Sequence, residues 1–341
     1  MRLPVAVLVV AAFACGGKPK PPTTPLPPDP QPEADKPAEP PPTKPEPPKP
    51  PAELPALDAS VPAPKPTVKL VSAGKGKRAP LKLTPKSGAK QQVELVFDIS
   101  EHQGAPEELG GNMDTAYPSI VLQGDSEVTA VEPGGAATFT LAITGTEVHD
   151  DGGKTPAAQL DQLKQAIATV KGLQLASTLD ASGVPGDLKL HVDKPQAATA
   201  QVLAQLLPLW PAWPLLPAEP VGVGAKWTVT QPSKVSLGMV AIDITYTTDY
   251  ELTAHTGSTW TIKGKTKVSG ADQAQKDAKV QKIGGGGDST ITLTDGALYP
   301  ASTQHVSTSF EAVVSGQDQS GATKSGTIAI ELKQGSQITP K

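Results

Sequence analysis

The sequence predicts a mainly β chain of the α+β class: a curled antiparallel sheet or incomplete barrel covered by two helices. Three observations lead there. Apolar residues alternate with polar ones at period two in run after run from about residue 67 to the end. The breaks between runs are short and rich in Gly, Asp and Ser, which suits hairpins and therefore antiparallel pairing. Two segments switch to helical spacing, and both fall mid-chain. A β-sandwich with two helical insertions satisfies the same pattern and stays open as the alternative. No fixed-period repeat is visible, which argues against propellers and solenoids.

The first element is an apolar run, Leu3–Ala14, behind the single charge of Arg2. Its 12 residues are too few for a spanning helix, which needs roughly 20. It ends in small residues directly before Cys15, the only cysteine of the 341 residues, and Gly16-Gly17 follow. That layout is an export signal. A cysteine placed first after the cut is what a bacterial lipoprotein acylates. Residues 1–14 are thus expected to be the signal peptide, 15–17 the acylated anchor and Cys15 the site of the palmitate-type lipid. Ordinary secretion with cleavage after Ala12-Phe13-Ala14 is the alternative. With one cysteine no internal disulfide forms, so burial alone must hold the fold. Gly16, in place of Asp, resembles the outer-membrane-destined members of lipoprotein families with known sorting rules, which implies the outer membrane, at its periplasmic face or the cell surface.

Residues 18–66 hold 21 of the 38 prolines, six Lys against seven Asp plus Glu, and no aromatic residue. Such a segment buries too little apolar surface to offset its ordering entropy. Proline fixes φ and lacks an N–H, so the expectation is a disordered, extended tether reaching on the order of 150 Å at about 3.1 Å per residue.

The β-rich exported domain is expected over 67–341. Val93, Leu95, Phe97 and Ile99 share one face of a strand; Phe139, Leu141 and Ile143 share another. A helix is expected from Pro156 to Lys171, with Thr155 as N-cap, Pro156 in the first turn and Gly172 as the stop. A hairpin, Leu173–Leu179 with Leu188–Val192, turns around Ser182–Pro185. A second helix is expected over Gln196–Leu207. The longest alternating face, Val240 to Leu252, is expected to bend near Thr247–Asp249. Trp260 and Ile262, then Ile291 and Leu293, then Val306, Phe310 and Val314, then Ile328, Ile330 and Leu332 mark the remaining strands. Gly284–Gly287, bordered by the polar stretch Ala271–Lys282, reads as a mobile loop.

The densest apolar stretch runs from Leu206 to Pro217. Prolines at 208, 211, 214 and 217 forbid a regular helix there. Trp210, Trp213, Leu215 and Leu216 in this segment are candidates for a lid on an apolar ligand. A loop that simply packs on the sheet fits them better. Other constellations carry less. His149-Asp150-Asp151 supplies too few ligands for a metal. Ser87-Gly88-Ala89-Lys90 matches S-x-x-K, but the S-D-N and K-T-G partners of that chemistry are missing. Gly74–Arg78 is basic without P-loop spacing. No catalytic residue, metal or cofactor is expected. A net charge of −4 and a pI near 5.8 argue against nucleic acid. Aromatic residues make up 4%, which leaves sugar binding without support at this level.

Pro220-Val-Gly222-Val-Gly224-Ala-Lys226-Trp227 reads as a glycine turn feeding a strand, with Trp227 and Val229 on its inner face. This block, the N-terminal signal, the Pro-rich stalk, Arg78-Ala-Pro-Leu-Lys-Leu83 and Gly88-Ala89-Lys90 together resemble a group of uncharacterised bacterial lipoproteins with a β-rich exported domain. The resemblance spans roughly Leu70 to the end. It implies an envelope location and a β-rich fold, and it carries over no catalytic residue. The expectation is a non-enzymatic, membrane-anchored envelope module that binds or builds, with a carrier or sensor of a lipid or apolar ligand held between sheet and helices as the alternative. The expected partners are the membrane, through the lipid, and an envelope protein or lipid ligand.

Overall fold

A single antiparallel sheet runs through the protein. The computed structural model describes residues 55–107, 111–210, 213–237, 240–274, 278–317 and 323–341. The signal segment, Cys15 and the stalk as far as residue 54 lie outside the described residues. The strands, in chain order, begin with β1 (Leu57–Val61), β2 (Thr67–Ser72), β3 (Lys90–Gly104), β4 (Met113–Ala116), β5 (Ser119–Val131) and β6 (Ala137–His149). Helix α1 (Ala157–Ala168), the hairpin β7 (Gln174–Leu179) and β8 (Leu188–Val192), helix α2 (Thr199–Leu206) and a 3-10 turn (Leu207–Leu209) come next. The chain closes with β9 (Lys226–Leu237), β10 (Val240–Thr256), β11 (Thr259–Ser269), β12 (Gln273–Ala274), β13 (Ala278–Thr294), β14 (Ala301–Gln317) and β15 (Thr323–Pro340).

The order across the sheet is β1-β8-β7-β6-β5-β3-β15-β14-β13-β11-β10-β9-β2, with β4 on β3 and β12 on β13. The sheet is open, since β1 and β2 are its two edges. One continuous sheet replaces the two stacked sheets of the sandwich alternative. Its curvature follows from chain length. Val61 and Thr67 are six Cα steps apart and span at most about 21 Å. Laid flat, the 13 strands of this path would put their edges about 58 Å apart, at about 4.8 Å per strand. The sheet must therefore curl until the linker Pro62–Pro66 can join its two ends. Ala63 N–H anchors that linker by donating to Asp187 Oδ1 at 2.8 Å.

The sheet reaches into the segment read as stalk. Leu57–Val61 pairs residue by residue with Leu188–Val192, so the ordered chain includes β1 ahead of Thr67. Helix α1 is shorter than its apolar spacing suggests. Pro156 occupies the N-cap with no side-chain cap bond, and Thr155 instead gives its backbone N–H to Asp150 Oδ2 at 2.9 Å. Helix α2 starts at Thr199, whose Oγ1 accepts the backbone N–H of Gln196 at 2.8 Å. The register of β10 runs unbroken through Thr247–Asp249 and slips at Leu252/Ala254.

Gly284–Gly287, expected in a loop, sits inside β13 between β11 and β14. A bulge at Gln281/Gly284 precedes it, with Lys282 at φ +55°. β14 passes so close that a Cβ on Gly285 or Gly287 would run into the carbonyl oxygens of Ser307 or His305. Glycine is required there by a neighbouring backbone, which composition does not reveal.

Two apolar clusters fill the inner face. The larger joins Leu95, Phe97 and Leu141 of the sheet to Leu163 and Ile167 of α1 and Val202 and Leu206 of α2. The smaller is made of strand residues only, among them Val235, Ile242, Val280, Phe310 and Leu332.

Candidate functional site

Between the two clusters the inner face turns polar, and the register shows where. One rung crosses the sheet as Trp227, Tyr250, Gly264, Ser289, Gln304, Ser336 and Phe97. The next reads Val229, Thr248, Thr266, Gly287, Val306, Gln334 and Ile99. Side chains two apart on a strand share a face, so both rungs look inward. Where they cross β11 and β13 three of the four positions are Gly264, Gly287 and the small Ser289. Few atoms stand in the middle of the concave face.

A cavity of about 190 Å³ occupies that space. Its walls come from β9, β10, β11, β13, β14 and β15 and from the segment around Trp210. Strands β9 and β15 are five places apart in the sheet, about 24 Å if it were flat. Both border one small cavity because the sheet is curled. Among the described residues lining it there is no Asp, Glu, Lys, Arg or His, although 19% of the chain is charged. Polar capacity comes instead from neutral groups. Gln231, Ser233, Gln304, Gln334 and Ser336 are half-buried and have no side-chain hydrogen-bond partner among the described residues. Ser289 Oγ is buried and unpartnered there too. Thr248 and Thr266 hydroxyls bond each other at 2.9 Å. Burial raises the phenol pKa of Tyr246 and pushes that of Tyr250 up to about 12.

Three of the four lid candidates border the cavity: Trp210, Trp213 and Leu215. Trp213 is buried, donates Nε1–H to Leu298 O at 3.2 Å and sets its ring 5.1 Å from both Phe139 and Tyr299. Leu215 O accepts the Trp227 Nε1–H at 2.8 Å, and Trp227 stacks on Tyr250 at 5.5 Å. Leu216 is buried in the larger cluster away from the cavity, its N–H donating to Ser182 O at 2.7 Å. Trp210 is half-buried, 6.3 Å from the Phe97 ring. This segment is a packed wall. The polar rungs opposite it were missed from sequence. The signal was available: β15 reads Ile328, Ile330, Leu332, then Gln334 and Ser336 on one face.

Two sequence blocks meet in space. Val221 and Ala79 exchange both backbone hydrogen bonds at 2.9 Å, and Lys75 N–H donates to Val223 O at 2.9 Å. Gly224, at φ +82°, turns the chain and donates its N–H to Leu252 O at 2.7 Å, which leads directly into β9. The S-x-x-K match is a turn: Gly88 has φ +77° and Lys90 Nζ faces Glu127 at 3.5 Å. His149 pairs with Glu147 at 2.9 Å, and no group of three metal-ligating side chains exists among the described residues. No helix among them is long and apolar enough to cross a membrane.

No family model and no curated protein matches the chain. Among solved structures, the in-vitro folded trimer of OmpT, an outer membrane protein of Vibrio cholerae, is similar over 73% of this chain and 100% of that one, at 8% identity and a TM-score of 0.14. At that score the likeness carries no argument.

Proposed function

We propose that the chain is a lipid-anchored protein of the bacterial envelope, of the uncharacterised lipoprotein group it resembles, whose curled β domain binds a small molecule in the concave cavity. Cys15 holds the lipid, the Pro-rich segment spaces the domain from the outer membrane, and the helices cover the apolar end of the sheet. The observation that carries the binding role is the cavity itself, where neutral polar groups without partners converge from several strands. A non-enzymatic role is supported by its lining: general acid–base chemistry draws mainly on imidazoles, carboxylates and amines, the described lining holds none, and its two phenols, Tyr246 and Tyr250, are held protonated by burial. The Leu209, Trp210, Trp213 and Leu215 wall favours the second reading, a carrier of an apolar ligand. The cavity size and the polar rungs weigh against it, because drug-sized apolar ligands fill pockets of roughly 300–1,000 Å³.

The anchor is tested by Cys15→Ser expressed in a bacterium with lipoprotein processing. The expected result is wild type in the membrane fraction, labelled by radioactive palmitate, and the variant unlabelled in the soluble periplasmic fraction. Equal fractionation of the two would remove the lipid anchor.

A further inference from the structure

We propose that the cavity is a site for a neutral, hydroxyl-rich, single-ring molecule of the monosaccharide class. The inference rests on the binding-module reading and adds the ligand's chemistry. Size sets the first bound. An engineered apolar cavity of about 150 Å³ in another protein accepts benzene, so about 190 Å³ admits one six-membered ring and is too small to enclose a lipid chain of ordinary length.

Charge sets the second. An ion moved into this cavity would give up hydration with no opposite charge to replace it, since no Asp, Glu, Lys, Arg or His lines the wall among the described residues and burial keeps the Tyr246 and Tyr250 phenols protonated. A neutral ligand avoids that cost.

Polarity sets the third. Gln231 on β9, Gln304 on β14 and Gln334 on β15 line the one cavity, and each amide offers donors and an acceptor with no partner among the described residues. Ser289 adds a buried hydroxyl without a partner. A purely apolar guest would leave these groups desolvated and unpaired, at a cost for each. Trp210, Trp213, Tyr246 and Tyr250 line the same cavity. Aromatic rings beside spread-out neutral donors and acceptors match a sugar ring, whose C–H faces are apolar and whose rim carries hydroxyls. Scarce aromatics do not count against this, because half of the chain's eight Trp and Tyr residues line this one cavity.

The experiment is isothermal titration of the full chain with three probes, read in parallel by tryptophan fluorescence. They are N-acetyl-D-glucosamine, D-glucuronate and dodecanol. The expected result is saturable binding of N-acetyl-D-glucosamine, weaker by about tenfold in Gln304→Leu and independently in Gln231→Leu, with no saturation by glucuronate. Both variants should keep the wild-type strand spectrum and unfolding midpoint. Saturation by dodecanol and not by the sugar would overturn the ligand class while leaving a binding module. Saturation by glucuronate as tightly as by the sugar would overturn the argument from neutrality. Binding of none of the three would overturn this proposal and, with it, the cavity as the functional site. The Cys15 fractionation stands apart from every one of these outcomes.

Discussion

At the scale of single residues, the aromatic side chains show how the interior is built. Trp227 and Val229 were expected on the inner face of their strand, and both are buried there. All four tyrosines of the chain have phenol pKa values raised mainly by burial, and for Tyr117 the neighbouring Glu101 adds to the effect. A raised acid pKa means the folded state holds its proton more tightly than the unfolded state does. The contribution to stability is fully present below pH about 10, the ordinary tyrosine value, and for Tyr250 it is lost as pH rises through about 12. The expected outcome of an alkaline titration is that tyrosinate absorbance appears late, together with loss of the strand spectrum. Tyrosinate reaching its full amplitude near pH 10 with the spectrum intact would contradict this burial. Tyr250→Phe should move the unfolding transition to higher pH. Burial of Trp227 was legible from alternation alone. The packing of Trp213 against Phe139 and Tyr299 was not, because those three residues lie far apart in sequence and only the finished sheet brings them together.

At the scale of elements, β13 gives the sharpest contrast. Period-two alternation located its second half, through Ile291 and Leu293, but the four consecutive glycines read as a break. Glycine lowers strand propensity, and nothing local records that another backbone lies where a side chain would go. The four positions are not equivalent. An added Cβ at Gly284 meets nothing within 4 Å, whereas at Gly287 it meets the backbone of β14. Gly287→Ala should therefore destabilise by about 1–3 kcal/mol through forced displacement of a paired strand. Gly284→Ala should be neutral or stabilising by about 0.4–1 kcal/mol, because it restricts the unfolded chain without a clash. Urea unfolding midpoints of the two variants decide it; equal effects would mean that close approach to β14 is not what the glycines serve. The polar rungs at Gln304, Gln334 and Ser336 were equally visible as breaks in otherwise apolar faces. Their meaning as one site was hidden, since it depends on which strands are neighbours, and β3 pairing with β15 joins residues more than 200 apart.

At the scale of the whole molecule, the class of fold was legible and the identity of the sheet's two edges was not. Short breaks between successive strands dictated antiparallel pairing, and the two helical segments marked the long connections. That β1 and β2, adjacent in sequence, form the opposite edges of the sheet follows from no local pattern. A chain starting at Thr67 should keep the fold but expose the β8 edge. Hydrogen exchange at Leu188–Val192 should then quicken relative to a chain starting at Leu57, while exchange in β14 stays unchanged. Unaltered exchange in β8 would show that β1 contributes nothing to the edge. The same arrangement has a mechanical meaning. Tension applied to the chain ahead of Leu57 enters the domain at a five-residue strand on the sheet's rim, not at its core. Pulled along its length, β1 loads its pairing with β8 in shear. Once it slips, the strain passes through the stiff Pro62–Pro66 bridge to β2 on the far rim. In this geometry the pairing of β1 with β8 meets such a load ahead of the strands around the cavity.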